Sequence, residues 1–259
     1  MTEALTTTTS EARDMENQAI IRIDSLEKVY GYGRNALRVL KNISLEINRG
    51  EVVSIVGPSG AGKSTLLNMI GCLDGFQSGT LVLLDRDVSG LSVEDLSGFR
   101  NQHIGFIFQL HNLLMEFTAL ENVMMPLLIR RVKRREARTR AMELIDRFGL
   151  ADRALHKPGE LSGGECQRIA VARSIIGNPD LILADEPTGS LDSDNSRKLT
   201  QFLLELGREN HSTIVIVTHS PEIAGMTERT ITLVDGKIIT DERKEKSSPQ
   251  GEPANPVLS

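Results

Sequence analysis

Nine consecutive residues constrain this chain more than any others: Gly57-Pro58-Ser59-Gly60-Ala61-Gly62-Lys63-Ser64-Thr65. They fit the pattern G-x-x-x-x-G-K-[ST]. The preceding Val52-Val53-Ser54-Ile55-Val56 is mostly β-branched and apolar, which predicts a buried parallel strand. Ser64 to Ile70 carries helix formers and few breakers, which predicts a helix. Glycines between a strand and a helix let the backbone curl so that successive N–H groups face inward. The helix N-terminus adds a positive partial charge. Such a turn is suited to phosphate. The loop Gly57–Thr65 would wrap it, Lys63 would reach the β- and γ-phosphates of a nucleotide, and the Ser64 hydroxyl would bind Mg²⁺. A chance glycine-rich turn gives no reason for Lys63 and Ser64 to fall in register.

Downstream, three more apolar runs end in polar side chains. Ile104-Gly105-Phe106-Ile107-Phe108 ends at Gln109, whose amide can hold Mg²⁺ or a water. Leu181-Ile182-Leu183-Ala184 ends in Asp185-Glu186. Asp185 suits nucleotide-bound Mg²⁺, and Glu186, one residue further out, can polarise an attacking water. Thr213 to Thr218 ends at His219. A strand-end Gln or His is ordinarily structural. In a parallel sheet, however, the carboxyl ends of the strands share one edge, where ligands bind. That would put Gln109, Asp185, Glu186 and His219 beside Lys63.

Leu161-Ser162-Gly163-Gly164-Glu165-Cys166-Gln167-Arg168 is the second informative stretch. Ser162 and Glu165 fit a capping box opening a helix through Ala172 and Ile176. Glycines at the first two helical positions are poor helix formers. They make sense where another group must approach the backbone, as an anion docked on the helix start would.

The remainder is read more coarsely. Residues 1–18 and 242–259 are polar and are expected to be disordered. Tyr30 and Tyr32 flank Gly31 in an expected loop, and either ring could stack on a purine. Residues 42–48 and 81–84 predict strands, 196–209 an amphipathic helix, and 231–239 a hairpin turning at Asp235-Gly236. From Leu113 to Arg153 the pattern is helical. Ala137, Ala141, Leu144, Ile145 and Phe148 repeat at helical spacing, and Gly149 suits the helix end. Seven Arg or Lys residues lie between 130 and 140. They read as a solvated helix face, the alternative being proximity to anionic lipid. The formal net charge of −5 argues against nucleic acid as a partner. The apolar run Val123–Ile129 is too short to span a bilayer. Two cysteines, Cys72 and Cys166, make no disulfide framework.

Taken in order, these stretches resemble the ATP-binding subunits of ABC transporters over roughly residues 20–240. Tyr30 matches the adenine-stacking aromatic, Gly57–Ser64 Walker A and Gln109 the Q-loop. Leu161–Gln167 matches the signature, Leu181–Asp185 Walker B, Glu186 the catalytic base, Leu191-Asp192 the D-loop and His219 the switch. The resemblance implies an α/β P-loop NTPase cassette of three parts: a RecA-like core with a parallel sheet, an antiparallel β subdomain, and an α-helical subdomain at about 113–178. It implies ATP and Mg²⁺ as cofactors, with Ser64, Gln109 and Asp185 at the metal. It also implies a head-to-tail dimer that sandwiches ATP between Lys63 of one chain and Ser162, Gly163, Gly164 and Glu165 of the other, with Asp192 nearby. Separate transmembrane permease subunits would dock near Gln109, which sets the chain peripherally on the cytoplasmic face of the inner membrane.

Phe108–Leu114, Glu116–Val123 and Met125–Ile129 further resemble the lipoprotein-releasing ATPases, a branch close to the macrolide-exporter ATPases. This implies release of lipoproteins from the inner membrane. The alternatives are the motor of a macrolide- or peptide-type exporter and a regulatory cell-division-type complex. A chromosome-associated ABC ATPase would insert a long coiled coil between Lys63 and Ser162, and no sustained heptads occur there. Three departures from the family pattern stand out: Cys166 inside the signature, Ser220 where Asp usually follows the switch His, and Ser190 before Leu191-Asp192. Cys166 raises the expectation of thiol-sensitive activity.

Overall fold

The apolar runs sort into two sheets in the computed structural model, which describes residues 18–189 and 192–244. Strands β1 (Ala19–Tyr30), β2 (Leu37–Asn48), β4 (Ser78–Leu83) and β5 (Arg86–Asp87) form an antiparallel sheet in the order β2-β1-β4-β5. Strands β3 (Val52–Val56), β6 (Ile104–Ile107), β7 (Leu181–Asp185), β8 (Thr213–Val217), β9 (Arg229–Val234) and β10 (Lys237–Arg243) form the second, in the order β10-β9-β3-β8-β7-β6. From β9 to β6 every neighbour is parallel, and only the terminal hairpin is antiparallel. Asp235 and Gly236 both take positive φ at its turn, as a two-residue hairpin of this sequence requires.

Alternation along the central strands assigns each side chain to one of two cores. Ile182, Ala184, Ile214 and Ile216 pack with the helical lobe. Leu181, Leu183, Val215 and Val217 pack on the opposite face with the antiparallel sheet. A strand buried on both faces reads as an unbroken apolar run, which is why these segments were legible. Cys72 and Cys166 are both buried, and burial pushes the Cys72 thiol up to about 11.

Seven helices are described: α1 (Lys63–Ile70), α2 (Val93–His103), α3 (Ala119–Ile129), α4 (Arg134–Arg147), α5 (Gly163–Ile175), α6 (Ser193–Glu209) and α7 (Pro221–Gly225). The helical pattern expected from Leu113 begins only at Ala119. Thr118 caps α3 in a reciprocal box with Glu121. The fully buried Asn122 amide holds the loop before it, bonding the backbone of Leu114, Phe117 and Thr118. A second break falls at Arg131, whose φ is positive, so one expected helical stretch is two helices. Ala137, Ala141 and Ile145 are the buried stripe of α4, and Gly149 takes the left-handed conformation just past its end. Two expected strands also shift. The strand predicted at 42–48 begins at Leu37, and Leu84 leaves β4 for a left-handed turn with Asp85. Apart from Gln18 and residues 242–244, the expected leader and tail lie outside the described residues, as do Ser190 and Leu191.

Candidate active site

The carboxyl ends of β3, β6, β7 and β8 open on one edge of the parallel sheet. There a groove is lined by Gly57, Ser59, Gly60, Ala61, Gly62, Lys63, Ser64, Thr65, Gln109, Asp185, Glu186, Val217 and His219, with Tyr30, Leu37 and Val39 on its flank. Residues far apart in the chain therefore meet where the sheet argument placed them. Pro58 is exposed at the top of the loop, and its carbonyl accepts from Ala61 N–H at 3.2 Å.

Two glycines of the loop are sterically required. A Cβ on Gly57 would overlap the Leu233 carbonyl of the adjacent strand. Gly62, the residue before α1, has φ +100° and lies against Leu40 and Val39. Both demands arise because the loop passes close under neighbouring backbone. Lys63 Nζ donates to the carbonyls of Gly57 and Pro58, at 2.9 and 3.0 Å. Its charge is thus held over the loop, where phosphate oxygens would sit.

Ser64 Oγ donates to Asp185 Oδ1 at 3.1 Å. Burial raises the Asp185 pKa, and the neighbouring Glu186 charge adds to it, while the Ser64 bond and Lys63 oppose it. The hydroxyl, the carboxylate and the Gln109 amide on the same groove are hard oxygen donors of the kind Mg²⁺ takes alongside substrate phosphates. Among the described residues there is no cluster of three or more His, Cys, Asp or Glu that could hold a metal. Mg²⁺ held by a few protein oxygens ordinarily completes its octahedral shell with water and substrate phosphates.

Glu186 has a positive φ of 47°, unusual for this residue type. Its N–H donates to Val217 O, and its carbonyl accepts from Gly189 N–H. These bonds turn its side chain back along the sheet edge. Its Oε1 lies 2.7 Å from His219 Nδ1. Ser220, which replaces the expected Asp, is the N-cap of α7, its hydroxyl accepting from Ile223 N–H. The carboxylate orienting His219 is therefore Glu186 itself.

The tyrosines part company. Tyr30 is the last residue of β1 rather than a loop residue, because β1 pairs with β2 to the end, Tyr30 opposite Leu37. Its hydroxyl donates to Asp74 Oδ2 at 2.8 Å, and Lys28 Nζ sits 4.5 Å from its ring centroid. Tyr32 is 96% exposed and does not line the groove. Leu37 and Val39, which sequence reasoning missed, complete an apolar wall beside Tyr30. As alternating apolar residues of a strand they carried no mark separating them from core.

Ser162, Gly163, Gly164 and Asp192 do not join this groove. They line a separate one with Arg168, Lys198 and Phe202. Ser162 Oγ accepts from Glu165 N–H, and the Glu165 carboxylate accepts from Ser162 N–H at 2.7 Å. That bond holds the Glu165 pKa below the usual carboxylate range. Arg153 Nε adds an ion pair to Glu165 at 3.4 Å. The polar side chains are thus engaged with their own helix start, and the backbone at Gly163 is left exposed. Asp192 is the N-cap of α6, accepting from Asn195 N–H. Cys166 faces away into the core, its thiol donating to the Pro158 carbonyl. Burial, with Glu165 nearby, raises its pKa, which disfavours the reactive thiolate.

A phosphate loop, a carboxylate pair at the end of another strand of the same parallel sheet and a glycine-started helix belong together in one class of protein. The family model described as ABC transporter matches residues 40–189, and this chain belongs to that family. A curated relative, the lipoprotein-releasing system ATP-binding protein LolD of Bacteroides fragilis, is 54% identical over 85% of this chain and 100% of its own length. The LolD of Geobacter metallireducens is 49% identical over 86% and 99%. Among solved structures, the ATP-binding cassette MJ0796, as a dimer in a post-hydrolysis state bound to ADP and Pi, is 42% identical. Its TM-score is 0.82, over 86% of this chain and 98% of that one.

Proposed function

We propose that this chain is the ATP-hydrolysing subunit of an ABC transporter that drives release of lipoproteins from the inner membrane. The observation carrying the ATPase reading is the single groove joining Lys63, Ser64, Gln109, Asp185, Glu186 and His219. Similarity to LolD along nearly its full length supports the lipoprotein assignment.

The chemistry follows from the residues. The loop N–H groups and Lys63 bind and orient the phosphates. Mg²⁺, when held by Ser64, Asp185 and Gln109, neutralises phosphate charge. Glu186 takes a proton from the attacking water, and its contact with His219 keeps the carboxylate aimed. Tyr30, braced by Asp74, offers its ring to adenine. Ser162, Gly163 and Gly164 offer N–H groups to the nucleotide of a second copy, with Glu165 holding that turn and Asp192 close by. Two copies assemble head to tail, as isologous pairing allows, and lie peripherally on the cytoplasmic face of the inner membrane. No described helix is long and apolar enough to cross a membrane, so the translocating path is placed in separate permease subunits. The helical lobe, about 113–178, carries dimer closure to them.

The test is co-purification. Tagged Glu186→Gln is expressed in the native host, and membranes are solubilised with ATP and Mg²⁺. Recovery of permease subunits with a large periplasmic domain, together with lipoproteins, is expected. Recovery of a macrolide-exporter permease instead would reject the lipoprotein assignment, and recovery of no membrane protein would reject the transporter reading.

A further inference from the structure

Gln167 lies one turn into α5, on the same face as Gly163, and is fully buried. Its Nε2 donates to Pro187 O at 2.7 Å and to Phe108 O at 3.4 Å. Both neighbours are carbonyl oxygens, so the amide must present its NH₂ group to them. Its Oε1 is buried with no partner among the described residues. An apolar side chain of the same size would avoid burying that oxygen, so what the amide contributes here is its donor.

The two carbonyls it reaches are informative. Phe108 immediately precedes Gln109, and Pro187 immediately follows Glu186. Further along the same helix, Arg173 donates to His111 O at 3.0 Å and to Asn112 O at 2.8 Å. Helix α5 therefore grips the Gln109 segment at two places and the Glu186 turn at one. Glu186 itself sits in a left-handed conformation, which persists only where its surroundings hold it.

We propose that Gln167 is a positioning residue: it ties the glycine-started end of α5 to the two segments that carry Gln109 and Glu186, setting where the water-activating carboxylate points. It touches no reacting atom and acts through those two residues. The proposal rests on the assignment of Glu186 as the base. If Glu186→Gln hydrolyses ATP at the wild-type rate, that assignment fails. The outcomes below concern Gln167 alone.

The experiment uses Gln167→Met, which keeps the length and loses the donor, in the full chain. ATP turnover, KM, nucleotide affinity by a fluorescent ATP analogue, and thermal stability are measured together. Turnover is expected to fall by about 10- to 100-fold, the scale on which small misplacements act, while ATP affinity stays within about twofold. In a cycle with Gln109→Ala, the double variant is expected to fall no further than the worse single one, as for residues acting as a unit. Unchanged turnover with lowered thermal stability would show a purely structural bond, and multiplicative losses in the cycle would exclude action through Gln109. Gln167→Glu is the second variant, should the Met variant not fold. Its carboxyl donates only when protonated, so its turnover relative to wild type should rise as pH is lowered. A ratio flat with pH would overturn the proposal.

Discussion

The groove at the sheet edge and the start of α5 are built on opposite principles. In the groove, side chains from the start of α1 and the ends of β7 and β8 bond one another before any ligand is considered: Ser64 to Asp185 and Glu186 to His219. Strands of one sheet hold those ends in fixed register, so the groups are preorganised in the sense that electrostatic catalysis needs. At the helix start the side chains are turned inward on their own capping box, and bare backbone faces out. Under the proposed function, one region would polarise and cleave and the other would only clasp an anion. They line different grooves of the same chain. Each molecule therefore carries two unlike halves, which a head-to-tail pair would bring together twice.

The largest expected effect removes the base. Glu186→Gln should lose ~10²–10⁴ in turnover while still binding ATP and, in its presence, running as a dimer on a sizing column. Turnover within a few fold of wild type would break the proposed role.

Next comes the clasp itself. Lys63→Ala should weaken ATP binding by about 10- to 100-fold, the scale of a lost charge-assisted hydrogen bond. Gly164→Asp should bind ATP normally but not turn it over, because its carboxylate repels the nucleotide of the partner. Assayed at ATP too low to fill the Lys63→Ala site, mixing the two impaired chains leaves one head-to-tail site with both halves intact, so activity should return to at most about half per mixed dimer. A mixture as dead as its parts would argue that the halves do not meet.

A smaller contrast separates capping from clasping. Ser162→Ala and Thr118→Ala each remove an N-cap hydroxyl from a reciprocal box, and each should destabilise the fold by ~1 kcal/mol. Only Ser162→Ala should also lower turnover. Equal turnover in the two variants would reduce Ser162 to a cap.

The smallest effect is one of stability against pH. Burial raises the Asp185 pKa, so its contribution to stability is complete below the unfolded carboxyl pKa and is lost as pH rises through the higher folded value. Without nucleotide or metal, Asp185→Asn should melt with wild type in acid and above it at neutral pH. A variant melting below wild type at neutral pH would contradict the cost assigned to the buried carboxylate.

Much of this was legible in the chain because the informative residues are contiguous. Gly57–Thr65, Asp185-Glu186 and Ser162–Glu165 each carry their geometry within one turn or one strand end, where local backbone rules apply. What was not legible depends on pairing across the fold. Tyr30 and Tyr32 look alike in sequence, and only the β1–β2 register separates a groove-lining ring from an exposed one. The loop at 113–118 has helical periodicity, but the amide of Asn122 holds its backbone elsewhere.

By itself, then, the sequence determined the phosphate loop, the strands that aim the acidic pair and the capped, glycine-led helix, because each is decided by neighbours along the chain. Tertiary structure alone decided that His219 is oriented by Glu186, that Gln167 reaches the segments carrying both Gln109 and Glu186, and that the helix start stands apart from the groove. Those contacts join residues 20 or more positions apart, and no local preference encodes which distant partner a side chain will meet.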